Sequence, residues 1–99
     1  MSFLCRLHVL KGHTEPVTGC VSTRDGKLLV TVSLDKSARL WNVNDGSAAG
    51  DLTGLDCPMN CVALDTEDKH AALGGWNKAI VIWNILENKK VAVRISVLF

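Results

Sequence analysis

Along the whole chain, apolar and polar residues alternate in short runs with a period of two, the pattern of strands that bury one face. Phe3, Cys5, Leu7 and Val9 alternate near the start, and Val91, Val93, Ile95 and Val97 near the end. Strands are expected over 3–10, 17–22, 28–32, 38–43, 48–52, 59–64, 71–75, 79–83 and 91–97. Turn signals separate them: Asp25-Gly26, Leu34-Asp35-Lys36, Asn44-Asp45-Gly46, Glu67-Asp68-Lys69 and Glu87-Asn88-Lys89. Gly, Asp and Asn tolerate the positive φ that tight hairpins demand. No segment shows a helical period. Residues 28–32 and 79–83 are apolar on both faces, so a sheet with these central strands must be covered on both sides. With no helix to supply the cover, a second sheet has to supply it.

The chain also repeats itself. An offset of 42 residues lays Gly12 on Gly54, Lys27 on Lys69 and Trp41-Asn42 on Trp83-Asn84 without a gap. Asp35 falls on Asn77, a swap that keeps size and turn preference. Residues 28–32 fall on 70–74, a weaker match. Each unit then presents the same order of four strands and three turns.

Leu10-Lys11-Gly12-His13-Thr14, followed at wide spacing by Ser33-Leu34-Asp35-Lys36-Ser37-Ala38-Arg39-Leu40-Trp41-Asn42, resembles a repeat of the WD-repeat β-propeller family. The likeness is strong over 7–52 and weaker, but in register, over 53–95. It implies an all-β fold. Two four-stranded antiparallel blades of a WD-repeat β-propeller are expected, over 17–52 in a first repeat (12–52) and over 59–95 in a second, degenerate repeat (54–95). Residues 3–10 would be one extra N-terminal strand, the outer strand of a neighbouring blade. A propeller closes with about four to eight blades, so two leave a broad face bare at each end. The reading preferred is an open fragment or truncated isoform of a larger propeller, because a third Gly-His would fall near Ser96 and the chain instead runs on through Val97-Leu98-Phe99. Self-association through the uncapped blades and an independent two-blade module are the alternatives.

Two departures from the family pattern bear on the site. The Trp-Asp pair of the family is Trp41-Asn42 and Trp83-Asn84 here, a small change. The second unit reads Gly54-Leu55 and Gly75-Trp76-Asn77, without the histidine, serine and aspartate. The resemblance implies a buried hydrogen-bond chain of His13, Ser33, Asp35 and Trp41 in the first blade. The chemistry is sensible: a buried indole N–H needs an acceptor, a hydroxyl both accepts and donates, and an imidazole passes the chain to a carboxylate. The second blade lacks these groups, and Trp83 is expected there as an apolar filler whose N–H finds a backbone carbonyl or water.

The resemblance also implies a docking face, formed by the loop before the first strand and the turn between the second and third. The positions that point there are Pro16, Thr18 and Leu34 in the first unit and Pro58, Asn60 and Trp76 in the second. Leu34 and Trp76 stand out, because each sits in a tight turn from which a large apolar side chain does not easily reach a core.

Composition narrows the function classes. The chain has 99 residues, 47% hydrophobic and 21% charged, which fits one globular domain. Eleven Lys and Arg against ten Asp and Glu give a net charge of +1, without the dense basic surface of a phosphate-backbone binder. Lys89, Lys90 and Arg94 form a small basic cluster best explained as a solvated turn, so nucleic acid is not the expected partner. No apolar run approaches the roughly 20 residues of a membrane helix, and Arg6 and His8 interrupt any signal-peptide core. An intracellular chain, in the cytoplasm or nucleus, is expected, with Cys5, Cys20, Cys57 and Cys61 reduced.

Candidate chemistry is sparse. His13, Ser33 and Asp35 are the residue types of a nucleophilic triad, yet nothing marks a pocket or oxyanion site around them. Cys57 and Cys61, with His70 nearby, lack the second pair and the tighter spacing of a structural zinc site. Cys20 and Cys61 are expected as small core hydrophobes. Gly74-Gly75 lies inside a strand and marks a bulge or close approach rather than a phosphate loop. No catalysis, cofactor or metal is expected of these residues. The expectation is a protein–protein interaction scaffold acting through the propeller rim on another protein or peptide. The alternative is the propeller portion of a larger multidomain enzyme or regulator whose chemistry lies outside this chain.

Overall fold

The structure, a computed structural model, describes residues 2–4, 9–53, 55, 57–76 and 79–95. Two four-stranded antiparallel sheets dominate it. The first has strands β3 (Val17–Ser22), β4 (Leu28–Ser33), β5 (Ser37–Asn42) and β6 (Ala48–Leu52), joined in that order. The second has β7 (Met59–Leu64), β8 (His70–Gly75), β9 (Ala79–Asn84) and β10 (Lys89–Ile95), again in sequence order. The all-β fold and the paired four-stranded sheets agree with the sequence reading.

The 42-residue offset governs detail as well as outline. Trp41 pairs with Leu29, and Trp83 with Ala71, one repeat later. Register shifts fall between Val17 and Gly19 in one sheet and between Met59 and Cys61 in the other. The turns obey it too: Gly26 and Gly46 take φ of 73° and 74°, and their counterparts Asp68 and Asn88 take 58° and 54°. Asp and Asn visit the left-handed region more readily than other side chains, which is why the second unit dispenses with the glycines.

The start of the chain differs from expectation. In place of one strand over 3–10, β1 (Ser2–Leu4) and β2 (Val9–Lys11) pair antiparallel, from Ser2 opposite Lys11 to Leu4 opposite Val9. A lone strand leaves a row of backbone groups without partners, and folding back supplies them. Cys5 and Leu7 lie outside the described residues, as does Val97 at the other end.

The core lies between the sheets. Val30, Val32, Ala38 and Leu40 form the apolar face of the first sheet. Onto it pack Met59, Ala71, Leu73, Val81 and Trp83 of the second, with Leu55 and Cys57 from the connecting loop. The opposite face of the first sheet carries Thr31, Ser33, Ser37, Arg39 and Trp41. The opposite face of the second carries Cys61, Ala63, Ala72, Gly74 and Ile80 around an apolar pocket of about 190 Å³. Among the described residues no further sheet layers over either outer face of the pair, and the two outsides are unlike.

Candidate functional site: a tethered rim of turns

The rim is built where the loop before each sheet meets the turn between its second and third strands. In the first sheet, His13 is buried in the loop and its ring meets Asp35, Thr31 and Ser37. Its Nδ1 lies 2.9 Å from Asp35 Oδ2, and its Nε2 lies 2.7 Å from Thr31 Oγ1. Trp41 Nε1–H donates to the same Thr31 oxygen at 2.8 Å. Ser37 donates to Asp35 Oδ1 and lies 3.1 Å from His13 Nδ1. The Thr14 amide donates to Asp35 Oδ2 at 3.0 Å.

The protons follow from the partners. Burial holds His13 below its ordinary 6.5, outweighing the hydrogen bond and charge of Asp35, which push the other way. The ring is therefore neutral. Burial pushes the Asp35 carboxyl up, but hydrogen bonds from Ser37, His13 and the Thr14 amide outweigh it and leave the group below 3.8. An ionised Asp35 needs donors, so Nδ1 carries the imidazole proton. Nε2 then accepts from the Thr31 hydroxyl, which in turn accepts from Trp41. Every member is satisfied.

This corrects one expected member. Ser33 is buried, but its hydroxyl donates toward the Glu15 and Pro16 carbonyls at 3.0 and 2.9 Å and accepts from the Asp35 amide at 3.1 Å. It braces the loop against the turn. The relay between imidazole and indole is Thr31, two residues earlier on the same face. A triad of His13, Ser33 and Asp35 does not form, since the Ser33 hydroxyl is engaged with backbone and not with the imidazole.

The second sheet has no such chain. Leu55 and Leu73 occupy the places of His13 and Thr31. Trp83 is fully buried, and its indole N–H has no acceptor among the described residues, neither backbone carbonyl nor side chain. Asn77, the counterpart of Asp35, lies outside the described residues.

The expected docking positions come together in part. The Leu34 amide donates to the Pro16 carbonyl at 3.2 Å, and the Trp76 amide donates to the Pro58 carbonyl at 3.3 Å. These two equivalent bonds seat each turn beside its loop. Pro16 and Asn60 are exposed, Leu34 and Pro58 half-buried. Trp76 is 64% exposed, the largest apolar side chain presented to solvent among the described residues. Thr18 is exposed but committed: its hydroxyl donates to the Met59 carbonyl at 2.6 Å and ties the two sheets together. The Leu55 amide adds a second tie, to the Lys36 carbonyl at 3.1 Å.

Cys20 and Cys61 depart from expectation, for both are exposed, and Cys57 is the buried one. β3 and β7 are edge strands, and each thiol lies on the face that no second layer covers. Gly74 and Gly75 do mark a close approach. A Cβ on Gly75 would sit 2.6 Å from both the Pro58 oxygen and Cys57 Sγ, and one on Gly74 would sit 2.5 Å from Cys61 Sγ. Among the described residues no group of three His, Cys, Asp or Glu side chains is placed to hold a metal ion, and no helix is long and apolar enough to cross a membrane.

Comparison with known proteins agrees with this geometry. The family model "WD domain, G-beta repeat" matches residues 4–42. Mitochondrial division protein 1 of Mycosarcoma maydis is 30% identical over 87 residues, which are 88% of this chain and 10% of that protein. Eukaryotic translation initiation factor 3 subunit I of Candida glabrata is 31% identical over 83 residues, 84% of this chain and 24% of that protein. The crystal structure of RRP9 WD40 repeats superposes with a TM-score of 0.85 at 24% identity, over 90% of this chain and 28% of that one. The chain thus spans a quarter or less of the length of these curated relatives.

Proposed function

We propose that this WD-repeat chain, folded as two propeller blades, is a non-catalytic scaffold that binds another protein or peptide through the rim formed by Pro16, Leu34, Pro58, Asn60 and Trp76. The observation that carries the reading is the exposed Trp76, held beside Pro58 by a backbone hydrogen bond in a turn that packing does not claim. Aromatic side chains presented this way are the commonest anchors of protein interfaces. Leu34 and Pro16 repeat the arrangement one blade earlier, so the rim offers two apolar footholds in a fixed frame. WD repeats serve most often as such platforms, and the length of the relatives favours these blades being part of a larger propeller.

Co-purification from cell extract, comparing the native chain with the Leu34→Ala/Trp76→Ala double variant, tests the reading. Both side chains lie outside the core, so matched thermal melts confirm an intact fold. A co-purifying protein reduced tenfold or more in the double variant is the expected result; an unchanged set of partners sinks the proposal.

A further inference from the structure

The face of the second sheet that looks away from the first is apolar and hollow. Cys61, Ala63, Ala72, Gly74 and Ile80 share it around the pocket of about 190 Å³, and Cys61 and Ile80 are exposed. The internal repeat accounts for the hollow. Offset by 42 residues, this face is the counterpart of the covered face of the first sheet, and Ala63, Ala72 and Gly74 stand where Val21, Val30 and Val32 stand there. Cys61 in place of Gly19 and Ile80 in place of Ala38 add bulk on either side of Gly74, and the stretch between them stays low. An apolar void of about 150 Å³ takes up a benzene molecule, so one aromatic ring suits a hollow of this size.

The cover of the first sheet's face comes in part from the segment that leaves its last strand. Leu55 and Cys57 follow β6 and are buried between the sheets, and the Leu55 amide bonds to the Lys36 carbonyl. The same offset lays Val97 on Leu55, Phe99 on Cys57 and Lys78 on Lys36, three residues outside the described ones. Bulk is therefore traded between face and crossing segment. Where valines of the face shrink to alanine and glycine, a cysteine of the segment gives way to a phenylalanine. The reach is sufficient. Ile95, the last residue of β10, pairs with Ala79, the neighbour of Ile80. β8 lies two strand spacings away, roughly 10 Å, and the four residues 96–99 span up to roughly 13 Å when extended.

We propose that residues 96–99 fold back across the outer face of the second blade and seat the Phe99 ring in the hollow over Ala72 and Gly74, with Val97 taking the place that Leu55 takes in the first blade. Burying a phenylalanine side chain in this way is worth about 1.5–3 kcal/mol, enough to hold so short a segment in place. A second copy of this chain, presenting the same face, fits poorly. It would set hollow against hollow, and protein interiors close-pack with few voids of that size. The contact is independent of the rim of Leu34 and Trp76.

The test is alkylation of the native chain by iodoacetamide, mapped by mass spectrometry, with Cys61 read against Cys20, the exposed thiol of the first sheet. Phe99→Ala is expected to speed the reaction of Cys61 at least fivefold and to leave Cys20 unchanged. Leu98→Ala, at the counterpart of Asp56, is expected to change neither. The Trp41 and Trp83 indole N–H resonances report whether the two sheets survive in each variant. A second readout needs no substitution: in the native chain, nuclear Overhauser contacts are expected from the Phe99 ring to the Ala63 and Ala72 methyls. Absence of those contacts, or a Cys61 rate indifferent to Phe99, overturns the proposal. Protection of Cys61 that grows with protein concentration and survives Phe99→Ala overturns it as well, by making a second copy the occupant.

Discussion

The indole N–H of Trp41 reaches the Thr31 hydroxyl at 2.8 Å, while that of Trp83, equally buried one repeat later, meets no acceptor among the described residues. The backbone register around the two rings is the same, so the difference lies in the residue at one strand position, Thr31 against Leu73. An orphaned buried donor costs about 1–3 kcal/mol. Trp83→Phe removes that donor along with ring volume, whereas Trp41→Phe takes a donor from a satisfied chain. Chemical denaturation is expected to show Trp41→Phe as the more destabilising of the pair; the reverse order would mean the Trp83 N–H is well partnered.

The relay itself makes a second prediction. Thr31→Val is nearly isosteric yet leaves His13 Nε2 and Trp41 Nε1 without partners, and it should cost about 2–4 kcal/mol, two groups at 1–2 each. His13→Ala and Asp35→Ala should lower the melting temperature clearly, and Asn77→Ala much less. Equal, small losses across these positions would show that the network contributes nothing.

Acid should undo the same network. His13 titrates below 6.5 when folded, so it binds fewer protons than the unfolded chain as the pH falls, and the stability it supports is present above 6.5 and declines beneath it. Asp35 titrates below 3.8 when folded, so its contribution holds above that value and fades below it. Unfolding free energies measured from pH 8 downward should begin to fall near pH 6.5 and steepen under pH 4. In His13→Gln the first decline should be shallower. Exposed Asp65, drawn down to about 2 by its hydrogen bonds from His70 and the Lys69 amide, matters only at the acid extreme and is screened by solvent.

Gly75→Ala should cost about 1–3 kcal/mol, the range of overpacking, because its new methyl meets the Pro58 backbone oxygen, which cannot move without dragging the rim. Gly74→Ala should cost less. The obstacle there is the Cys61 side chain, exposed and free to rotate. Thermal melts of the two single variants decide it, and a larger loss at Gly74 would contradict the geometry.

The strands were legible because alternation and turn chemistry are local, and the repeat was legible because one offset aligned several unlike residues. The relay was not. Thr31 and Ser33 are both hydroxyls on one face of β4, and choosing between them needs the register that sets Trp41 opposite Leu29 and Ser37 opposite Ser33. That register depends on the length of the turn at 34–36, not on either hydroxyl. Cys20 and Cys61 were misplaced for a related reason. Alternation says that an edge strand has two faces, but only the neighbouring sheet decides which one is covered.

The loop between the sheets sends Leu55 and Cys57 into the shared interior, and the Leu55 amide and the Thr18 hydroxyl each bond across to the other sheet. Such a connection has no slack to act as a hinge. The separation of Leu34 and Trp76 is accordingly set by the sandwich itself, so that under the proposed rim docking the chain would work as a ruler, and a peptide with the right side chains at the wrong separation would gain only one of two grips.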